Sequence, residues 1–133
     1  MVVHPLHALA RQAACWYADK LAHERVGLQS SSTTNEMLAR SAAQVGKAPL
    51  VRAMVSTFEA SIRIVRANLA LAVMPEPIAA AYAAREDLRV VQLRDDWAQR
   101  RFVLGFRDHG RLSKATALLV DFLHRQGQGA AAQ

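Results

Sequence analysis

The chain predicts an α/β fold, a sheet with some parallel pairing, and three observations carry that reading. Strand-like runs alternate with helix-period segments along the chain. The stretch Val55–Pro75, VSTFEASIRIVRANLALAVMP, combines a helix, a tight bend and a strand in one unit. Within it Leu69–Met74 is a short apolar run without alternation, the mark of a strand covered on both faces.

That unit organises the rest. Ser56 is placed as an N-cap with Glu59 completing a capping box. Phe58, Ile62, Val65 and Leu69 then recur at helical spacing and form one apolar face. Asn68 stands where the helix must stop, and asparagine tolerates the left-handed conformation that such an ending uses. Pro75-Glu76-Pro77 closes the strand and opens the next helix, with Pro77 at the first helical position.

Taken in order, Met1–Val3 is read as a short strand broken by His4-Pro5. Cys15–Leu21 is expected to be helical, with Trp16 or Tyr17 and Leu21 turned inward. Arg25–Gln29 is a strand with Val26 and Leu28 on one side, followed by a polar loop at Ser30–Thr34. Thr33 and Glu36 form a second capping box, for a helix that buries Met37, Leu38, Ala42 and Val45 and ends at Gly46. Leu50–Val55 is a strand. Pro77–Ala84 is a helix with Ile78, Ala81 and Tyr82 facing in. Leu88–Leu93 and Arg101–Arg107 are strands, joined by Arg94–Arg100. Ser113 caps a last helix, Lys114–Arg125, whose apolar stripe is Ala115, Leu118, Leu119 and Phe122. The tail Gln126–Gln133 is expected to fray.

Composition sets the limits. At 133 residues the chain has material for one ordinary core, and its 52% apolar content excludes wholesale disorder. No apolar run approaches the ~20 residues of a membrane span. No membrane partner is expected. Cys15 is the one cysteine, so no internal disulfide forms and a reducing cytoplasm is expected. Its neighbours Ala14 and Trp16 favour a buried structural thiol over a reactive one. The net charge of +6 raises nucleic-acid binding as a possibility. The arginines are spread out among acids, however, and the few aromatics do not interleave with them, so a solvated basic face is the better account.

Catalytic and metal-binding patterns are sought without result. His4 and His7 are separated by a helix-breaking proline, and no second pair completes a metal site. Asp95-Asp96 reads as a turn with solvated carboxylates. Ser30-Ser31-Ser32 lacks the glycines of a nucleophile elbow, and no phosphate-cradling glycine loop occurs. No cofactor is expected, and an enzyme is not favoured. Binding has a positive case. The helices starting near Thr34 and Thr57 follow strands and should begin at the strands' carboxyl edge, where open α/β sheets hold ligands. Their free N–H groups suit an anion. Plain helix capping by Thr33 and Ser56 would account for the same hydroxyls equally well.

A resemblance decides between them. The sequence Val55-Ser56-Thr57-Phe58-Glu59-Ala60, followed by Val65-Arg66-Ala67-Asn68-Leu69-Ala70-Leu71-Ala72-Val73-Met74-Pro75, resembles the effector-binding (substrate-binding) domain of LysR-type transcriptional regulators. The pattern there is roughly V-S-S-F-x-A, then V-x-x-G-x-G-I-A-x-L-P, and Asn68 and Ala70 stand for its two glycines. His4-Pro5-Leu6, Val26-Gly27-Leu28 and Trp97 with Arg101 match in the same order. The resemblance implies a type 2 periplasmic-binding-protein-like fold, two α/β subdomains with a cleft between them. It assigns 6–100 to subdomain II, and 1–5 with 101–133 to crossover strands and the C-terminal helix of a truncated subdomain I. The winged helix-turn-helix has no counterpart, so the sequence is expected to be a fragment. The implied function is the ligand-sensing (co-inducer-binding) domain of a bacterial, cytoplasmic LysR-family regulator that touches DNA only through the absent helix-turn-helix. Its effector is expected to be a small anionic metabolite, held by Ser30, Ser31, Ser32, Ser56, Thr57 and Phe58. A homo-oligomer is expected as well. The alternative is a self-association module without a competent cleft, suggested by the stripe on Lys114–Arg125.

Overall fold

In chain order the elements are β1 (Val2–Val3), a 3-10 turn (Ala8–Arg11), β2 (Ala14–Cys15), a second turn (Tyr17–Lys20), β3 (Arg25–Leu28) and α1 (Ser32–Gln44). Then follow β4 (Val51–Val55), α2 (Phe58–Arg66), β5 (Leu71–Ala72), α3 (Glu76–Glu86), β6 (Arg89–Val90), β7 (Gln92–Leu93), a third turn (Asp96–Ala98) and α4 (Lys114–Ala130). The computed structural model describes residues 1–29, 32–99, 105 and 112–130, with the backbone alone at 32, 33 and 128–130. Contacts divide the chain into Met1–Gln99 and Arg100–Gln133.

The first unit is built on a five-stranded sheet of order β4-β3-β5-β1-β6, beside a two-stranded parallel pair, β2-β7. β3 runs parallel to both β4 and β5, so the parallel sheet expected from the sequence is present. β1 is antiparallel to β5 on one side and to β6 on the other. β1 thus lies between β5 and β6 in this sheet.

Strand residues point alternately to the two faces, and both faces are covered. Val2, Val26 and Ala72 pack with Ile62 and Val65 of α2 and Ala79 of α3. Val3, Leu71, Met1, Leu9, Cys15 and Val91 form a second cluster, and Leu38 and Ala42 of α1 pack with Tyr17 and Leu21 in a third. Two covered faces explain why these short strands are apolar without alternation. Burying side chains such as Ile62 or Leu38 stabilises by ~1.5–3 kcal/mol each.

Three helices end in one way. Gly46, Asn68 and Asp87 have φ of 67°, 53° and 49°, and each left-handed residue turns the chain back on its helix. The amide after each donates to a carbonyl five residues earlier: Lys47 to Ala42 at 3.0 Å, Leu69 to Ile64 at 3.3 Å, Leu88 to Ala83 at 3.3 Å. These are Schellman endings, which satisfy carbonyls that a helix end leaves without partners.

Several expectations are corrected. The helix expected at Cys15–Leu21 shrinks to the 3-10 helix Tyr17–Lys20, because pairing with β7 holds Ala14–Cys15 extended. Tyr17 and Leu21 are buried as expected, while Trp16 is exposed. The α2 cap is Thr57, whose Oγ1 accepts from the Ala60 amide at 3.1 Å; the Ser56–Glu59 box does not form. Thr33 lies inside α1, which begins at Ser32. α3 begins at Glu76, one residue before Pro77, and buries Ala79 while Ala81 faces solvent. Val45 and Leu69 lie beyond the ends of their helices and are exposed. The strand expected at Leu69–Met74 contracts to Leu71–Ala72, and Leu88–Leu93 divides at buried Val91 into strands of two different sheets. Asp95 is not merely solvated, since its Oδ2 accepts from the Tyr17 amide at 2.7 Å.

Of the second unit, α4 is described. Ser113 caps it as expected, its Oγ accepting from the Thr116 amide at 3.2 Å. The helix runs to Ala130, so Gln126–Ala130 is helical where fraying was expected. Its Leu118, Leu119, Phe122 and Leu123 are exposed. The strand expected at Arg101–Arg107 lies outside the described residues, apart from Gly105.

Candidate functional site

The parallel strands β4, β3 and β5 deliver three helix starts to one edge of the sheet. Leu28 pairs with Val55 in register, and the Gln29 amide donates to the Val55 carbonyl at 2.8 Å, closing the pair at its carboxyl end. Adjacent strands lie about 5 Å apart. α1 and α2 therefore follow the carboxyl ends of adjacent strands and pack on opposite faces of the sheet, α2 with Val26 and Ala72 and α1 with Val73. β5 ends one pleat lower, with Ala72 level with Val26, and leads through Pro75 into α3.

Of the six residues named from the sequence, Ser56, Thr57 and Phe58 lie in the turn and first helical residue after β4. Ser56 and Thr57 are exposed, and Thr57 is occupied by the cap. Phe58 is half-buried against the cluster of Ile62 and Val65, so it contributes to the core as well as lying at the edge. Ser32 is the first residue of α1, while Ser30 and Ser31 lie outside the described residues. Strand register thus places Ser56–Phe58 at the carboxyl end of β4, next to the strand that precedes α1.

Arg25 and Asn35, which sequence reasoning missed, support this edge from beneath. Arg25 is buried, and its Nη1 donates to Asn35 Oδ1 at 3.2 Å. Asn35 Nδ2 donates in turn to the Leu28 carbonyl at 2.6 Å. The first turn of α1 is thereby fastened to the last residue of β3. Gly27 makes room for the packing, since a Cβ there would stand 2.5 Å from Met54 Sδ and 3.4 Å from Arg25 Nη1. A buried arginine at the start of an apolar strand leaves no periodic signal, because periodicity reports the faces of apolar residues.

Two hollows among the described residues lie away from this edge. One, about 10 Å³, is bounded by Tyr17, Lys20, Arg25, Leu50 and Leu71, where the parallel strands begin. The other is an open depression of about 350 Å³ at His4, Arg66, Glu86 and Leu88, beside the ends of α2 and α3. Among the described residues no three His, Cys, Asp or Glu side chains gather as a metal site. No helix among them is long and apolar enough to cross a membrane.

The LysR substrate binding domain family model matches residues 1–128. The chain belongs to that family. Its solved neighbours agree on the fold. The effector-binding domain of QuiR in complex with shikimate superposes with a TM-score of 0.61 at 17% identity, covering 71% of this chain and 44% of that one. PA01 protein from Pseudomonas aeruginosa, described as a LysR family transcriptional regulator, gives 0.66 at 15% identity, covering 94% and 44%. This LysR domain therefore has the type 2 periplasmic-binding-protein-like α/β fold, and it spans less than half the length of either neighbour. No curated protein sequence matches it.

Proposed function

We propose that this LysR domain senses a small anionic metabolite and serves a transcriptional regulator whose DNA contacts are made by a separate helix-turn-helix domain. The observation that carries the reading is the shared carboxyl edge of β3 and β4, from which two helices start and where Ser56 and Thr57 are exposed. Each N-terminus favours an anion by ~0.3–1 kcal/mol at exposed sites. The ligand contacts assigned are Ser30, Ser31, Ser32, Ser56, Thr57 and Phe58. In the domain layout that goes with this reading, 6–100 form subdomain II, and 1–5 with 101–133 are crossover strands and the C-terminal helix of a truncated subdomain I. The role is regulatory, without catalysis, in the cytoplasm and as a homo-oligomer.

Shikimate, the ligand of the QuiR domain, is a carboxylate and is the first probe, within a panel of small hydroxylated carboxylates. A true effector at 100 times its Kd raises stability by about 2.7 kcal/mol. Ser56→Ala should weaken binding several-fold at unchanged Tm, because Thr57 carries the helix cap. Thr57→Ala should lower both, with ~0.5–2 kcal/mol lost from the cap alone. Wild-type affinity in both variants would move the site elsewhere. If no carboxylate stabilises the protein, the second reading stands, a self-association module. It is favoured by the exposed Leu118, Leu119, Phe122 and Leu123.

A further inference from the structure

We propose that Cys15 and Lys20 form a site of oxidative cross-linking, in which hydrogen peroxide joins the cysteine sulfur to the lysine amine. The Lys20 Nζ lies 2.9 Å from Cys15 Sγ, and the two side chains are 2% and 4% exposed. A lysine this deeply buried is normally paired with a carboxylate. Among the described residues Lys20 makes no ion pair, and the sulfur is its hydrogen-bond partner. The thiol lies within 3.9 Å of the Gln92 carbonyl, a weak acceptor contact that turns its proton away from the amine. A nucleophilic nitrogen and an oxidisable sulfur are thus held in contact.

The surroundings favour the reaction. Burial is the main reason that the Lys20 pKa is lowered, so more of the amine is neutral than at the surface. Lys20 also lines the small hollow of about 10 Å³, room for about one water-sized molecule on the lysine side of the pair. Burial of the sulfur also keeps external thiols from reaching a sulfenic acid formed there.

The chemistry balances with peroxide as the oxidant. Attack of sulfur on peroxide breaks the O–O bond and gives the sulfenic acid and one water. The Lys20 nitrogen then attacks sulfur and the S–O bond breaks. The departing hydroxide leaves with an amine proton as a second water. Sulfur loses two electrons, the peroxide gains them, and a sulfur–nitrogen bond joins the residues. A second peroxide inserts one oxygen into that bond, giving an S–O–N bridge and one more water. Either bridge ties β2 to the turn Tyr17–Lys20, whose Tyr17 holds Asp95 and packs edge-on against Trp97 at 5.5 Å.

The test is intact-mass spectrometry of the full chain after brief peroxide treatment. The expected product is lighter by two hydrogens, or carries one oxygen in their place. Trypsin should no longer cut after Lys20, so that a single peptide spans 12–25, and dithiothreitol should restore both the mass and the cut. Cys15→Ser should abolish the product, and so should Lys20→Met if that variant folds. The wild-type peptide map decides the matter even if it does not. Cleavage at Lys20 with Cys15 carried to sulfinic or sulfonic acid overturns the proposal. So does an unmodified Cys15 under conditions that oxidise the methionines.

Discussion

α2 and α4 carry apolar stripes of the same helical spacing, and the two stripes meet different fates. In α2, Ile62 and Val65 are sealed against Val2, Val26 and Ala72. In α4, Leu118, Leu119, Phe122 and Leu123 are open to solvent. Periodicity therefore reports which face of a helix is apolar, while the presence of a covering surface depends on what else the chain supplies. α2 has a sheet in its own unit to lie on. The α4 stripe is the larger exposed apolar feature, and features of that kind mark interaction surfaces.

The largest effect expected from this contrast is in paired truncations. Ile62→Ala should cost ~2–5 kcal/mol in urea unfolding, since it leaves a cavity in a covered core. Leu119→Ala should change the same measurement by less than ~0.5 kcal/mol. Phe122→Asp should instead move an oligomer toward monomer in light scattering. Equal losses of stability from Ile62→Ala and Leu119→Ala would erase the distinction.

A pH dependence is expected in the covered unit. The Met1 amine donates to the Val91 carbonyl at 3.0 Å, and burial, with help from the Lys20 charge, lowers its pKa from 8.0 to about 6. The unfolded chain then binds this proton more readily than the folded one. Stability from this source is full above pH 8 and declines as the pH falls to about 6. A shift of this size corresponds to about 2–3 kcal/mol. His7 adds in the same direction as the pH falls below 6.5, because burial and then the nearby His23, 4.8 Å away ring to ring, lower its pKa too. Urea titrations at pH 8.5 and 6, followed by Trp97 fluorescence, should show the loss, and acetylating Met1 should remove most of it. A flat profile would mean that the amine is solvated in solution.

A smaller effect is expected at the helix ends. Asn68→Ala places a Cβ-bearing residue without a polar side chain at φ 53° and should cost ~1 kcal/mol. Asn68→Gly should be neutral or slightly stabilising. A neutral alanine would show that the bend relaxes freely.

These residues also mark how far sequence reasoning reaches. Asn68 and Gly46 announced their left-handed conformations, because few residue types fit there. The parallel order of β3, β4 and β5 followed from intervening helices. What escaped were features decided by distant partners. Val2 and Val3 are central because Ala72, Arg89 and Val90 flank them, and nothing local announces it. Ser56 and Thr57 are both competent caps, and it is Thr57 whose Oγ1 meets the Ala60 amide. At the candidate edge, Ser56–Phe58 could be named from a local pattern. Arg25 and Asn35 hold that edge through a contact ten residues apart that leaves no pattern.

The central place of β1 bears on how the protein is made. Val2 and Val3 leave the ribosome about 70 residues before Ala72, their first strand partner. At ~5–20 residues per second, that is a wait of about 4 to 14 s. In that interval β3, α1, β4 and α2 emerge and have the short-range connections needed to dock. The slot between β5 and β6 is complete only once Val90 is synthesised. A fully apolar pair is meanwhile available to chaperones and to other nascent chains. Slowed translation between residues 72 and 90 should lengthen that exposure and lower the yield of soluble protein.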